Sequence, residues 1–211
     1  MSELELLCDI GASFFARGYA FGSTGNLSVR TEAEILITPT GRSLRNLRPE
    51  DLACIDEAGT PLNAARPSKE YPFHLAAYRA AGRRAAAIVH LHSPHAVALS
   101  CLDNLNEREP LPVITPYYLM RVAPVAVVPY FRPGSEELGA AIGQAARDHD
   151  TILLRNHGLV CLGRSLEEAV DRTDELEETA RLYFLLRGEK LRELTAGQQA
   201  EIARVFPRKL T

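Results

Sequence analysis

The sequence predicts one α/β domain built in three layers, and three observations carry that expectation. Strand-like and helix-like segments are mixed from the first residues to beyond 180. No internal repeat and no linker-like stretch divides them. A chain of 211 residues also buries one substantial core more readily than two. With 46% hydrophobic and 24% charged residues the balance is that of a globular protein, which sets aside disorder and coiled coil.

The first element is a helix over Leu4 to Tyr19, where Leu4, Leu7, Gly11, Phe14 and Phe15 fall near helical spacing. Gly18, Gly22 and Gly25 lead into Asn26-Leu27-Ser28-Val29, which alternates like a short strand. Ile35 to Thr38 is a second strand, stopped by Pro39 and the turn Thr40-Gly41. Leu52 to Ile55 is a third, entering a hairpin turn at Asp56-Glu57-Ala58-Gly59. A helix starting between Ser68 and Pro72 would turn Phe73, Ala76, Ala77 and Ala80 inward, since proline is tolerated in the first turn. Ala86 to His92 reads as a buried strand, and Ser93-Pro94 as cap and first turn of a helix through Cys101. After a polar loop from Asp103 to Thr115, a strand at Val125 to Val128 and a helix from Ser135 to Arg147 follow. The next strands are Thr151 to Leu154 and Leu159 to Leu162, separated by the tight turn Asn156-His157-Gly158. Ser165-Leu166-Glu167-Glu168 has the spacing of a capping box and opens the longest helix, which Gly188 stops near Arg187.

A net charge of −3 provides no broad attraction for a polyanion, so nucleic acid is not expected as a partner. The most apolar stretch, Ala85 to Leu102, contains three histidines and is too short and too polar to span a membrane. The acidic start Met1-Ser2-Glu3-Leu4-Glu5 is unlike a secretory leader. The four cysteines stand far apart with no Cys-x-x-Cys pair, which fits reduced buried thiols and a cytoplasmic location.

The chemistry concentrates in histidine. His90 and His92 stand two apart on a predicted strand, so both imidazoles share one face and can converge on an ion. His157, in a turn between two apolar strands, is placed as loops place ligands. Three histidine nitrogens with an open fourth position suit catalytic zinc, although cobalt or manganese could use the same donors. His95 is expected to turn away on the following helix, His74 to pack or orient on the face it shares with Glu70, and His149 to be solvated. Glu70 stands in a first helical turn, as an ordinary helix-start acid or as a general base beside the metal. Ser68 and Lys69 precede it, and Gly25-Asn26 and Thr40-Gly41 add backbone donors of the type that bind phosphate.

The ordered set Gly25-Asn26-Leu27-Ser28, Thr38-Pro39-Thr40-Gly41, Pro67-Ser68-Lys69-Glu70, His90-Leu91-His92 and Asn156-His157-Gly158 resembles the class II aldolase/adducin family over about residues 10 to 187. The resemblance implies a mainly antiparallel central sheet and a four-fold homotetramer with sites between subunits. It implies one zinc ion per subunit held by His90, His92 and His157. Glu70 would be the acid/base, touching the metal when the site is empty. Asn26, Thr40, Gly41, Ser68 and Lys69 would surround the phosphate of a small phosphorylated sugar or sugar acid. The sugar-phosphate aldolases of the family carry a second serine where Lys69 stands. Pro-Ser-Lys-Glu, the segment Thr115 to Val122 and Leu176-Glu177-Glu178-Thr179-Ala180 instead resemble the 3-oxo-tetronate 4-phosphate decarboxylases. That subgroup implies loss of carbon dioxide through an enediolate on the metal, leaving dihydroxyacetone phosphate. A fuculose 1-phosphate type aldolase and a pentulose-phosphate 4-epimerase are the alternatives on the same scaffold. Tyr117, Tyr118 and Arg121 are the candidates for distinguishing them, with Arg121 able to hold a carboxylate and a tyrosine to donate a proton. An adducin-like binding module, the reading without catalysis, would be expected to have lost the metal ligands.

Overall fold

The computed structural model describes residues 2–207. Its strands are β1 (Asn26–Arg30), β2 (Ile35–Ile37), β3 (Ala53–Ile55), β4 (Ala87–Leu91), β5 (Val125–Val128), β6 (Thr151–Leu154) and β7 (Gly158–Gly163). They form one open sheet in the order β3-β2-β1-β4-β7-β6-β5. Five of the six pairings are antiparallel and the last, β5 with β6, is parallel. The sheet is therefore open and mixed, so the mainly antiparallel sheet implied by the resemblance holds only in part, with one parallel pair at its edge. The parallel pair arises because α5 (Glu136–Ala145) makes the crossover between β5 and β6.

Residue alternation divides the sheet's two faces. On one, Ile35, Ile37, Ile88, Val160 and Leu162 pack with α5 and α2 (Tyr71–Ala81). On the other, Leu27, Val29, Val89, Leu91 and Cys161 pack with α1 (Glu3–Ala16) and α6 (Leu166–Leu185). Two helices on the first face and the remainder on the second give the three expected layers. The short helices α3 (Pro94–Ser100) and α4 (Pro116–Arg121) join the second face, and α7 (Ala196–Val205) contacts α4 without burying any of its own residues.

Several local expectations change in detail. In α2 the buried residues are Phe73, His74, Leu75, Ala77, Tyr78 and Ala81, while Ala76 and Ala80 are half-buried. Ser165 does cap α6, accepting from Glu168 N, but Glu168 accepts from Arg164 N rather than returning to Ser165. Half of the capping box is formed. The segment after Thr115 is α4, capped by the Thr115 hydroxyl and started by Pro116. None of the described helices is long and apolar enough to cross a membrane.

Candidate active site

The site lies where β1, β4 and the β6–β7 turn meet the start of α2. His90 is near the end of β4 and wholly buried, and His92 is just past the strand's last residue with its side chain on the same face. Antiparallel pairing places Asn26 of β1 opposite His90, and β7 flanks β4 on the other side with His90 opposite Val160. His157 comes from the turn before β7, where Asn156 takes a positive φ of 54°. Gly158 has to be glycine, because a Cβ there would stand 2.4 Å from Leu91 O. That close approach presses the His157 turn onto the end of β4.

The three rings form a tight triangle, with centroids 5.0 Å (His90–His92), 5.0 Å (His90–His157) and 4.8 Å (His92–His157) apart. One ring nitrogen from each lies within 4.8 Å of the others. His90 Nδ1 donates to Leu159 O at 2.8 Å, so Nε2 faces inward, 3.1 Å from His92 Nε2. Glu70, the residue preceding α2, closes the group: Oε2 is 3.3 Å from His90 Nε2 and Oε1 is 3.6 Å from His157 Nε2.

Burial, with the charge of neighbouring His90, lowers His92 to about 3 and His157 to about 4, so both imidazoles are neutral with lone pairs available. For Glu70 burial opposes ionisation, but His90, the Asn26 hydrogen bond and His157 outweigh it and hold the carboxyl well below its ordinary range. Nδ1 of His157 is buried without a hydrogen-bond partner. This donor set fits a divalent transition metal. Two nitrogens about 2.1 Å from one tetrahedral ion lie about 3.4 Å apart, within small side-chain rotations of the observed spread.

The other candidates divide. Thr40 N donates to Arg66 O and Ser68 N to Thr38 O, so Thr40-Gly41 and Ser68-Lys69 lie on adjacent strips of chain leading into Glu70. Gly41 is exposed with a φ of +71° and open space around it, and Lys69 is exposed. Asn26, by contrast, is 3% exposed and its amide donates to Glu70 Oε2 at 2.8 Å, against the carboxylate rather than out toward a phosphate.

Tyr118 and Arg121 are not brought to the histidines of this chain. The Tyr118 ring is buried in the core beneath α6. Arg121 lies 3.8 Å from Asp171, and its carbonyl accepts from Arg172, which also donates to Leu162 O. Leu162 pairs with Ile88, whereas His90 pairs with Val160, so Arg121 is toward the other end of the sheet. His95 turns away as expected and donates from Nδ1 to Glu177 at 2.8 Å.

Sequence reasoning missed two groups. Ser28 and Tyr78 extend a buried polar chain from His74, and Glu177 anchors the start of α3. Spacing held the signal for the first: Asn26 and Ser28 are two apart on a strand, His74 and Tyr78 four apart on a helix.

The family model for the class II aldolase and adducin N-terminal domain matches residues 5–184. The chain belongs to this family. Among its relatives is the 3-oxo-tetronate 4-phosphate decarboxylase of Haemophilus influenzae, 47% identical over 92% of this chain and 93% of the relative. The L-fuculose phosphate aldolase of Methanococcus maripaludis is 38% identical over 90% of this chain and 99% of the aldolase. The crystal structure of YgbL from Escherichia coli superposes with a TM-score of 0.91 at 44% identity, covering 94% of this chain and 96% of YgbL. These matches establish the class II aldolase fold for the chain.

Proposed function

We propose that this chain is a metal-dependent carbon–carbon lyase, most specifically a decarboxylase that converts 3-oxo-tetronate 4-phosphate to dihydroxyacetone phosphate and carbon dioxide. The observation that carries the reading is Glu70, an ionised carboxylate in contact with two members of a three-histidine cluster. The 47% identity to a decarboxylase across nearly the whole chain favours this substrate over that of the aldolase relative at 38%.

His90, His92 and His157 would hold the metal, zinc by the donor set, with Glu70 beside them. When bound, the ion supplies Lewis-acid charge for the oxygen that becomes negative during reaction. Departure of carbon dioxide breaks the C1–C2 bond and leaves its electron pair shared between C2 and the C3 oxygen. Glu70, or a water that it orients, moves a solvent proton onto C2 to complete the product. Thr40, Gly41, Ser68 and Lys69 are assigned to the phosphate, with the Lys69 ammonium as point charge and the backbone as donors. We read the chain as one domain, working as a homo-oligomer in the cytoplasm. Its four cysteines, none in a disulfide, suit a reducing compartment.

The test offers 3-oxo-tetronate 4-phosphate to zinc-loaded protein and follows carbon dioxide and triose phosphate together. Equimolar appearance of both supports the decarboxylase. Triose phosphate with an aldehyde, released only from a ketose 1-phosphate, would replace it with the aldolase.

A further inference from the structure

Behind Glu70 runs a chain of four buried side chains that no step of the reaction touches. Asn26 Nδ2 lies 2.8 Å from Glu70 Oε2, and Asn26 Oδ1 lies 2.5 Å from His74 Nε2. His74 Nδ1 lies 2.7 Å from Ser28 Oγ, which lies 2.7 Å from the Tyr78 hydroxyl. Ser28 and His74 are 0% exposed, Tyr78 1% and Asn26 3%, so water does not compete for these bonds.

An asparagine amide has nearly the same shape either way round, so packing alone does not decide which end faces Glu70. Proton inventory does. An ionised Glu70 only accepts, so Asn26 has to present its NH2 group and keep Oδ1 for His74. His74 then donates from Nε2, and its bare Nδ1 has to accept from the Ser28 hydroxyl. Ser28 has a single hydroxyl proton, so Tyr78 becomes the donor to Ser28 Oγ. Every bond in the chain then has one donor and one acceptor. The opposite polarity would point Asn26 Oδ1 at the carboxylate, two acceptors in a buried site, which costs several kcal/mol. Burial, reinforced by His90 and opposed by Glu70, pushes His74 down to about 3, so the ring is neutral and carries one proton to place.

We propose that His74 is a positioning residue: held as the Nε2–H tautomer by Ser28 and Tyr78, it locks the Asn26 amide NH2 onto Glu70 and fixes the acid/base carboxylate against the histidine cluster. The consequence for the reaction rests on Glu70 being the acid/base, whereas the tautomer and the amide orientation do not. Asn26 thereby acts on catalysis through Glu70.

Two measurements on the zinc-loaded protein separate the ideas. Long-range 1H–15N correlation should show His74 with a protonated Nε2 and a bare Nδ1, together with an exchange-protected Asn26 side-chain amide. His74→Leu, which removes both ends of the relay, should lower kcat by about 10–100-fold with little change in KM, the usual scale for a group supporting a metal-site ligand. It should also expose the Asn26 amide to exchange. His74→Gln, which can donate and accept along the same line, should recover part of kcat and the amide protection. A protonated Nδ1 on His74 overturns the proposal, as does a folded His74→Leu with kcat within about twofold of the parent. If His74→Leu does not fold, Ser28→Ala is read in its place, and unchanged tautomer and amide protection there overturn it equally. A protein without decarboxylase activity would remove the proposed substrate, while the tautomer and amide protection still decide the relay.

Discussion

His90 donates from Nδ1 to the carbonyl oxygen of Leu159, 2.8 Å away on the neighbouring strand β7. The bond ties a side-chain tautomer to the register of the sheet, in which Leu91 faces Leu159 and His90 faces Val160. One ring nitrogen is consumed by the backbone, and the other is delivered to His92, His157 and Glu70.

This arrangement predicts which histidines hold metal. Single replacement of His90, His92 or His157 by alanine should strip most of the zinc from purified protein, measured by elemental analysis. His149→Ala should leave the metal content unchanged, since that residue lies outside the cluster. Full metal content in the His157→Ala protein would mean that the ion sits elsewhere.

Glu70→Gln tests the acid/base role independently of the metal. The amide is nearly isosteric and still accepts a hydrogen bond from Asn26 at its oxygen, yet it cannot carry a proton to C2. Turnover should fall by about 10²–10⁴-fold, the range for a positioned acid/base group. Zinc content should remain largely intact, because three imidazoles are present without it. Near-normal turnover would remove Glu70 from the assignment.

Much of this site was legible because strand and helix periods act on the sequence directly. His90 and His92 share a face by alternation, and Asn156-His157-Gly158 reads as a tight turn between two apolar strands, whereas the close approach to β4 that Gly158 permits appears only in the fold. Less legible were features that depend on distant chain meeting. Thr115-Pro116 carried the cap and first-turn signals of α4, but a six-residue helix is too short for periodicity to show. α7 buries no residue and so left no apolar stripe. Tyr118 and Arg121 followed a loop of unknown return path, and nothing local in them told which end of the sheet they would reach. Asn26 read as an anion-binding turn residue because its partner, Glu70, lies 44 positions later.

Acid should destabilise the metal-free protein well above the carboxylate range. His74 titrates near 6.5 when unfolded and is pushed down to about 3 when folded. Between those values the unfolded chain binds a proton that the folded chain refuses, so stability is full above about 6.5 and falls with pH by up to about 1.4 kcal/mol per unit. His92 and His157 are depressed for the same first reason, burial, and act in the same direction. Glu70 contributes nothing to this window. Its folded value lies below its unfolded one, so its stabilisation is lost only as pH falls below about 4.5. Urea midpoints of metal-free protein should decline steadily from pH 7 to pH 5, and saturating zinc should raise the midpoint at each pH without removing the decline, because metal-held imidazoles refuse the same protons. A midpoint constant across that range would contradict the neutral buried imidazoles.

Glu177 predicts a coupling between the longest helix and the metal-bearing strand. The Ser93 hydroxyl occupies the cap position of α3 but makes no cap bond; it donates instead to Glu177 Oε2 at 2.6 Å. The same carboxylate accepts from Ala96 N, and its other oxygen accepts from His95 N, each at 2.9 Å. A side chain from α6 therefore caps the start of α3 in place of the local cap, immediately after His92. Glu177 is 2% exposed and Ser93 is 0%, so removing the carboxylate leaves buried donors without partners. Glu177→Ala should cost more than the ~1 kcal/mol of an ordinary cap, at least about 2 kcal/mol by urea unfolding. Glu177→Gln should fall between alanine and the parent, because its amide oxygen can accept from one pair of donors while its NH2 group faces the other. The same order should appear in zinc affinity, since the chain segment that ends in His92 is anchored through Ser93. Stability within about 0.5 kcal/mol of the parent in Glu177→Ala would show that water or Ser93 caps α3 unaided, and the coupling would not exist.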